Sequence, residues 1–303
     1  MWIPHQLLSP LKAEGPKEAV LESEQAKDTR SFVVGFVLCN MLTRAWETDL
    51  IVSAADSERI VDIDGASCTV HAAANEAGKL HEIVYAVPAT GAVEALAIAF
   101  RHVDGELSRM ALHHGRSFEI AGWRVADVEH GARWRCVPFR PSALKSEPLV
   151  GELPPLWQDI LGLYREARNA AGATWRLIAG GAILDAAVSG RAPFDEVRID
   201  LGAQPLTFDM LARSGTLAAH PEFKGATARK LWGVVEPIRQ SFIRQLGGGP
   251  GVHDRGDYAA TLELAALANL TDLVARELVM TSLRAAGFVR EAEPVERPEL
   301  ATT

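Results

Sequence analysis

A group of basic side chains in the last third of the sequence is the first feature that could carry chemistry. The cations between residues 224 and 245 are Lys224, Arg229, Lys230, Arg239 and Arg244. Basic residues along one helix could form a groove for an anion or for RNA. The alternative is the outward face of an amphipathic helix that pairs with acids of neighbouring helices. The pattern favours this second interpretation, because amphipathic helices normally carry such a face. The candidate anion- or RNA-binding residues are Arg239, Arg244, Arg229 and Lys230.

Candidate metal ligands occur together at His102, Asp104, His113 and His114. His102 and His113 are eleven residues apart, which is about 16 Å along a helix, so one helix cannot bring both to one ion. The spacing favours a solvated polar face that ends in a histidine pair interacting with the helix dipole. We therefore predict neither a metal site nor a cofactor.

The glycine-rich run Gly247–Gly251 does not fit a phosphate-binding loop. Such a loop needs a preceding strand and a GK[ST] ending, whereas a helical pattern precedes this run and Val252-His253-Asp254 follows it. His253-Asp254 could serve as a base, but no nucleophile is identified around it. The sequence also contains no GxSxG, HExxH, CxxC or GxGxxG motif. We therefore predict no catalytic residues, although an enzyme site assembled between two domains would not be visible in the sequence.

The elements that must position these residues change in character along the chain. Short β-branched or alternating runs begin at Asp49, Arg59, Cys68 and His81, and Asp64-Gly65 gives a hairpin signal between the second and third of them. A second turn is expected at 75–79, and Pro88 is expected to end the last run. These patterns predict antiparallel strands.

A helical period follows from Ala92 to His113, where apolar residues recur at steps of three and four. Gly105 allows a break in this helix, because glycine costs about 1 kcal/mol relative to alanine. Strand character returns at Phe118–Val128 and Trp134–Phe139. The first part of the chain is therefore predicted to be a sheet with one helix laid across it.

The rest of the chain has the pattern of helices. Apolar stripes run from Trp157 to Ala186, from Leu231 to Leu246 and from Leu267 to Leu278. Gly180-Gly181 allows close packing or a kink in the first stripe. Thr207 is predicted to cap a short helix that Gly215 ends.

These patterns predict an α+β protein. A small antiparallel-sheet N-terminal domain with one helix is followed by an all-α helical-bundle C-terminal domain. The predicted segments are a polar N-terminal arm at 1–30, a β-rich α+β domain at 31–140, a proline-rich linker at 141–155, a helical domain at 156–290 and a disordered tail at 291–303. The arm is expected to dock loosely and to contain a short helix from Pro16 to Lys27.

The composition excludes several classes of protein. The chain has 303 residues and a net charge of −8, with 48% hydrophobic and 23% charged residues. These values are typical of a globular protein and argue against a disordered chain, a collagen-like chain and a generally basic nucleic-acid binder. The three cysteines, Cys39, Cys68 and Cys136, are an odd number without metal-site spacing, so we interpret them as reduced thiols.

Two apolar runs are too short or too charged to span a membrane. Ser31–Leu42 has about a dozen residues where a spanning helix needs about 20. Ala170–Val188 is interrupted by Arg176 and Asp185, and one charge near the bilayer centre costs about 2.5–3.5 kcal/mol. The N-terminus has prolines and acids in place of the apolar region of a signal peptide. We therefore predict a cytoplasmic protein without membrane contact.

The helical half resembles known families. The residues that carry the resemblance are Leu156–Ala167, Trp175–Ala179, Ile183–Asp185, Leu231–Leu246 and Leu270–Val279. They cover about half of the chain and resemble HEPN-type helical domains, in particular the MauJ family of methylamine-utilization proteins. HEPN ribonucleases carry an arginine followed four to six residues later by a histidine. The matching positions here are Arg239 and Arg244, with arginine in place of the histidine.

This resemblance sets the functional expectations. Arginine keeps its proton at working pH and is a poor general base, so RNase chemistry would be lost while an anion-binding pair remained. We predict a non-catalytic accessory or binding protein that the resemblance links to methylamine utilisation. The alternatives are an RNA-binding or RNA-cleaving HEPN protein and an enzyme with an interdomain site. The resemblance also implies a homodimer through the C-terminal helices, and a protein partner is favoured over RNA.

Overall fold

A computed structural model describes residues 11–40, 48, 50–52, 58–116, 118–136, 153–170, 172–195, 200–246 and 256–289. The first half of the chain forms one antiparallel sheet. Its strands are β1 (Lys12–Ala13), β2 (Arg30–Cys39), β3 (Glu58–Ile63), β4 (Ala66–Ala74), β5 (Leu80–Ala89), β6 (Glu119–Asp127) and β7 (Arg133–Cys136). They lie in the order β1-β7-β6-β2-β5-β4-β3, so β2 is the central strand.

Two helices accompany the sheet, α1 (Lys17–Gln25) and α2 (Ala92–His114). Alternate residues of β2, including Phe32, Val34 and Phe36, are fully buried. They pack beneath the apolar stripe of α2, which contains Leu96 and Phe100. Apolar residues recur at every second position of the strands and about every 3.6 positions of the helix. Each element therefore has one apolar side, and these two sides pack together.

The hairpin between β3 and β4 is confirmed. Asp64 and Gly65 both have positive φ, 52° and 86°, as a type I′ turn requires. Asp62 Oδ1 accepts a hydrogen bond from the Gly65 amide at 3.0 Å. Pro88 does not end β5, because it pairs with Ser31 of β2 beyond the last pairing of β5 with β4.

The second half of the chain is helical. Its helices are α3 (Pro155–Asn169), α4 (Ala173–Val188), α5 (Phe208–Ser214), α6 (Thr216–Ala219), α7 (Ala228–Leu246) and α8 (Tyr258–Ala285). The predicted α+β class, with an antiparallel sheet followed by helices, is confirmed. The continuous stripe predicted from Trp157 to Ala186 is divided between α3 and α4, with Gly172 at the start of α4. Within the described ranges, none of the helices combines the length and the hydrophobicity that a transmembrane span requires.

Small residues bring the helices close together. A Cβ atom on Gly180 would lie 3.2 Å from Thr271 Cγ2 of α8, and one on Gly181 would lie 2.8 Å from Arg239 Cδ of α7. The close packing predicted for Gly180-Gly181 is therefore present. The predicted cap is also present, since Thr207 Oγ1 accepts from the Met210 amide at 3.2 Å and Gly215 has φ of 83°.

The first residue of α8 connects the helices to the sheet. The Tyr258 ring lies 5.4 Å from the Phe100 ring and 6.0 Å from the Trp123 ring, measured between centroids. Asp257 caps this helix end by accepting from the amides of Ala259 and Ala260 at 2.9 and 3.2 Å. The end of α8 therefore contributes an aromatic side chain to the core between α2 and the sheet.

Candidate ligand-binding cleft

A cleft lies beside the second half of α2, where the helix passes over the β3 edge of the sheet. It has a volume of about 410 Å³, within the range of small-molecule sites. Its walls are mostly aliphatic, and three polar side chains enter it. The lining residues are Leu50, Ile51, Val52, Arg59, Val70, Ala72, Leu80, Ile83, Glu106, Met110 and His114.

The described lining of the cleft comes from the segment 50–52, from strands β3, β4 and β5, and from α2. Strand β3 presents Arg59 on the same face as α2, because Arg59 lies opposite Val70 in the β3–β4 ladder and Val70 is buried in the core. The segment 50–52 is attached to the sheet by the hydrogen bond from the Leu80 amide to the Leu50 carbonyl, at 2.7 Å. Glu106 and Met110 are four residues apart on α2 and therefore share one face of that helix.

Glu106 is the charged centre of the cleft. Its Oε1 accepts from Arg59 Nη2 at 2.5 Å, and its Oε2 accepts from Arg109 Nη2 at 2.7 Å. Burial alone would raise the pKa of Glu106, but the hydrogen bonds from Arg109 and Arg59 outweigh it, so the pKa lies below its ordinary value. The carboxylate is therefore ionised and held between two guanidinium groups, which makes it a poor general base.

A second polar pair lies on the same stretch of α2. The Tyr85 hydroxyl and His102 Nδ1 share a hydrogen bond at 2.9 Å. Burial lowers the pKa of His102, with Arg59 and Arg109 acting in the same direction and Glu106 opposing them. Burial also raises the pKa of the Tyr85 hydroxyl. Both groups are therefore neutral at pH 7, and they fix α2 to β5.

The lining residues suit binding better than bond-making chemistry. Serine, threonine, cysteine and lysine do not occur among the described lining residues, and the carboxylate of Glu106 is already held by two arginines. Arg59 is half exposed and, with His114, offers donors to an anionic group. The aliphatic side chains and Met110 offer a surface to an apolar group.

The four residues predicted to bind an anion lie in different surroundings and do not form one cluster. Arg229 Nη2 pairs with Asp200 Oδ1 at 3.0 Å, and Lys230 Nζ donates to the Glu222 carbonyl at 2.6 Å. Arg244 is exposed and lines a groove with Phe242 and Glu263. Arg229 and Arg239 are separated by about 15 Å along the helix. An anion or RNA site at these residues stays a prediction.

Arg239 is buried against acids. Its Nε and Nη2 donate to both carboxylate oxygens of Glu236 at 2.6 and 3.0 Å, and Nη2 lies 3.7 Å from Asp185 Oδ2. The side chain has 10% of its surface exposed. These hydrogen bonds lower the pKa of Glu236, although burial acts in the opposite direction. Arg239 therefore joins α7 to α4 as an internal ion pair.

Arg239→Ala is expected to lower the free energy of unfolding by about 1–3 kcal/mol, because it removes charge-assisted hydrogen bonds. Arg244→Ala on the exposed end of the same helix is the matched control and should leave stability unchanged. Urea unfolding of the full chain measures both. A stable Arg239→Ala variant with weakened RNA binding would contradict the structural role and support the anion site.

Among the described residues, the histidines of α2 form no metal site. His113 and His114 lie in the last turn of α2 with ring centroids 4.7 Å apart, and His102 is engaged by Tyr85. No group of three histidine, cysteine, aspartate or glutamate side chains suited to a metal occurs within the described ranges. Residues 247–255, which include His253-Asp254, lie outside those ranges.

Comparisons with known proteins extend along nearly the whole chain. Residues 5–136 match the family model described as methylamine utilization protein MauJ, N-terminal domain. The chain is 36% identical over 286 residues to methylamine utilization protein MauJ of Methylorubrum extorquens, covering 93% of this chain and 96% of that protein. The MauJ proteins of Paracoccus versutus and Paracoccus denitrificans are 37% and 35% identical, covering 94% of this chain and 95% and 96% of theirs.

The chain belongs to the MauJ family. The resemblance to MauJ proteins is thus confirmed, while the HEPN assignment of the helical half stays a prediction. No solved structure matches the chain. All residues that line the cleft lie within the segment that matches the MauJ N-terminal model.

Sequence reasoning missed the cleft. Arg59 and Glu106 are 47 residues apart and occupy different elements, so no local motif joins them. The available signal was a charge pattern on α2, where Glu106 is followed three residues later by Arg109. That spacing predicts a surface ion pair and gives no indication of Arg59.

Proposed function

We propose that this MauJ family member is a non-catalytic binding protein that serves methylamine utilisation and holds a small ligand in the α2 cleft. The names of its relatives associate the family with methylamine utilisation. The observation that carries the proposal is Glu106 held between Arg59 and Arg109 in the wall of a mostly aliphatic cleft. A cytoplasmic location is part of the same proposal.

The lining chemistry indicates the class of ligand. Arg59 can give further N–H donors to an anion while it keeps its hydrogen bond to Glu106, and His114 lies nearby on the wall of the cleft. Leu50, Val52 and Met110 would cover an apolar body. The ligand class is therefore a small organic anion with an apolar portion.

A fluorescent probe with this chemistry tests the proposal. 8-Anilinonaphthalene-1-sulfonate combines a sulfonate with aromatic rings, and we expect it to bind the folded chain at one site. Arg59→Ala should weaken this binding about tenfold, the effect of losing one charge-assisted hydrogen bond. Met110→Trp should also weaken it, because the larger side chain fills the cleft.

Arg101→Ala is the matched control. Arg101 is also half exposed and makes one ion pair, with Asp64 at 2.8 Å, but it does not line the cleft. Equal binding by the Arg59→Ala and Arg101→Ala variants would contradict the proposed site. Cleavage of RNA by the purified chain, lost in Arg239→Ala, would overturn the non-catalytic assignment.

The link to methylamine is tested in cells. In a strain deleted for this gene, the wild-type chain should restore growth on methylamine, whereas the Arg59→Ala variant should restore less at equal protein level. Normal growth of the deletion strain on methylamine would contradict the association. Growth of the variant equal to wild type would contradict the role of the cleft alone.

A further inference from the structure

The sheet has a second face, which α2 does not cover. Residues Val33 and Val37 of β2 alternate with the buried Phe32, Val34 and Phe36 and therefore point to the opposite side. Unlike those three, which are fully buried, both valines are partly exposed. We call this second side of the sheet the outer face.

The strand registers show which residues share the outer face, because directly opposite residues of antiparallel strands lie on the same side. One row across the sheet consists of Lys12, Arg135, Arg124, Gly35, Val84, His71 and Glu58. The neighbouring row consists of Arg133, Ala126, Val33, Ala86, Thr69 and Ile60. On the central strands β2 and β5, these two rows therefore consist of small and β-branched apolar residues, Gly35, Val84, Val33 and Ala86.

The exposed charges of these rows differ in sign between the two ends, although Arg135 at the basic end also pairs within its own copy, with Glu14 Oε1 at 3.2 Å. The basic residues of these rows, Lys12, Arg135, Arg133 and Arg124, lie on β1, β7 and β6 at one end. At the other end, β3 contributes the acids Glu58 and Asp62. One ion pair crosses the middle, where Arg124 donates from Nε to Glu82 Oε1 at 2.7 Å over Gly35. A Cβ on Gly35 would overlap this carboxylate, so glycine leaves room for the pair.

We propose that the outer faces of two copies of this chain pack together around a twofold axis parallel to the strands. With the axis between β2 and β5, β7 of one copy faces β3 of the other, and β2 faces β5. The basic end of each copy then lies over the acidic end of its partner. A twofold axis perpendicular to the strands would instead place Arg133 and Arg135 of one copy against the same residues of the other. Repulsion between like charges disfavours that arrangement.

The size of the outer face fits this assembly. Seven strands about 4.8 Å apart span about 29 Å, and the ten-residue strands β2 and β5 are about 33 Å long. The shorter edge strands reduce the area to the order of 700 Å² per copy, close to the ~800 Å² of a stable interface. The middle of the face carries apolar side chains beside the internally paired Arg124 and Glu82, and its two ends carry opposite charges, so a second copy is the partner it fits.

Charge reversal tests this interface in the full chain. Glu58 and Arg135 lie at opposite ends of one row, so in the dimer Glu58 of one copy faces Arg135 of the other. Glu58→Lys and Arg135→Glu should each raise the dimer dissociation constant, about tenfold or more. The double variant Glu58→Lys/Arg135→Glu exchanges the two ends and should restore dimerisation. Sedimentation velocity over a concentration series measures all four proteins.

Control substitutions separate this interface from a helix-mediated dimer. Glu166→Lys reverses an exposed charge on α3 that lies 3.8 Å from Arg165 and should leave the dissociation constant unchanged. Phe208→Glu alters an exposed aromatic residue of α5 and should also leave it unchanged. A wild-type chain that is monomeric at all concentrations would overturn the proposal. So would a dimer that only Phe208→Glu dissociates, or single reversals that the double variant does not rescue.

Discussion

Replacing Asp127 by alanine is expected to lower the free energy of unfolding by about 3–5 kcal/mol, because it leaves a buried guanidinium group without its partner. Asp127 Oδ2 accepts from Arg30 Nε at 2.8 Å and from Ser23 Oγ at 2.5 Å, and it lies 3.0 Å from His130 Nδ1. The side chains of Arg30 and Asp127 have 2% and 0% of their surface exposed. This carboxylate therefore connects α1, β2 and the turn after β6.

The same carboxylate gives stability a predictable dependence on pH. Burial alone would raise the pKa of Asp127, but hydrogen bonds from Ser23, Arg30 and His130 hold it well below its ordinary value of 3.8. The unfolded chain therefore binds this proton more tightly than the folded protein does. The contribution of Asp127 to stability is fully present above about pH 3.8 and is lost as the pH falls through the lower folded pKa.

Urea unfolding at pH 7, 5, 4 and 3 measures both effects. Asp127→Asn should show a smaller loss of stability than the wild type between pH 5 and 3, since the asparagine does not titrate. Glu166→Ala, which removes an exposed carboxylate of α3, is the control and should match the wild type at pH 7. An Asp127→Ala variant with the same free energy of unfolding as the wild type at pH 7 would show that the buried pair does not stabilise the fold. Identical pH profiles for the wild type and Asp127→Asn would show the same.

The elements of the fold were largely readable from local patterns. The apolar steps from Ala92 to His113 correspond to α2, and the helix continues through Gly105 because Leu107 and Met110 still pack toward the sheet core. Asp64-Gly65 identified its hairpin because few other residue pairs adopt two positive φ angles. These features depend on residues within a few positions of one another.

The candidate site was not readable, because it depends on contacts between distant residues. Arg59 and Glu106 come together only when α2 crosses over β3. Arg239 bonds to Glu236 on its own helix, but the surface of α4 that covers it, with Gly181 and Asp185, lies more than 50 residues earlier in the chain. A basic residue on an amphipathic helix can face solvent, a partner or an internal acid, and its sequence neighbours do not distinguish these surroundings.

A second buried ion cluster lies among α3, α4 and α8. Arg168 Nη1 donates to Asp272 Oδ2 at 2.8 Å, and Arg176 Nη1 donates to Asn269 Oδ1 at 2.9 Å. Asp272 is fully buried, and Arg176 has 1% of its surface exposed. Burial lowers the pKa of Arg176 to about 10, although Asp272 acts in the opposite direction. Burial also raises the pKa of Asp272, although Arg168, Arg176 and Arg276 act in the opposite direction.

These opposite shifts indicate that desolvation of the charges is only partly offset by their attraction. Removing one member should therefore be costly, whereas removing all of them should not. Asp272→Leu is expected to lower the free energy of unfolding by about 3–5 kcal/mol, because Arg176 stays buried without a neighbouring carboxylate. The triple variant Arg168→Met/Arg176→Met/Asp272→Leu should regain the stability of the wild type or exceed it by about 1–4 kcal/mol.

Glu277→Leu provides the matched control for this comparison, since Glu277 lies on the same helix and makes a partly exposed ion pair with Arg284 at 3.7 Å. It should change stability by about 1 kcal/mol or less. Chemical denaturation of the four proteins at pH 7 decides the outcome. If the triple variant is as unstable as Asp272→Leu, the cluster contributes packing or hydrogen bonds that apolar side chains cannot replace. Recovery in the triple variant would mean that the charges are not needed for stability. Their contribution would then be to specify how α3, α4 and α8 pack together.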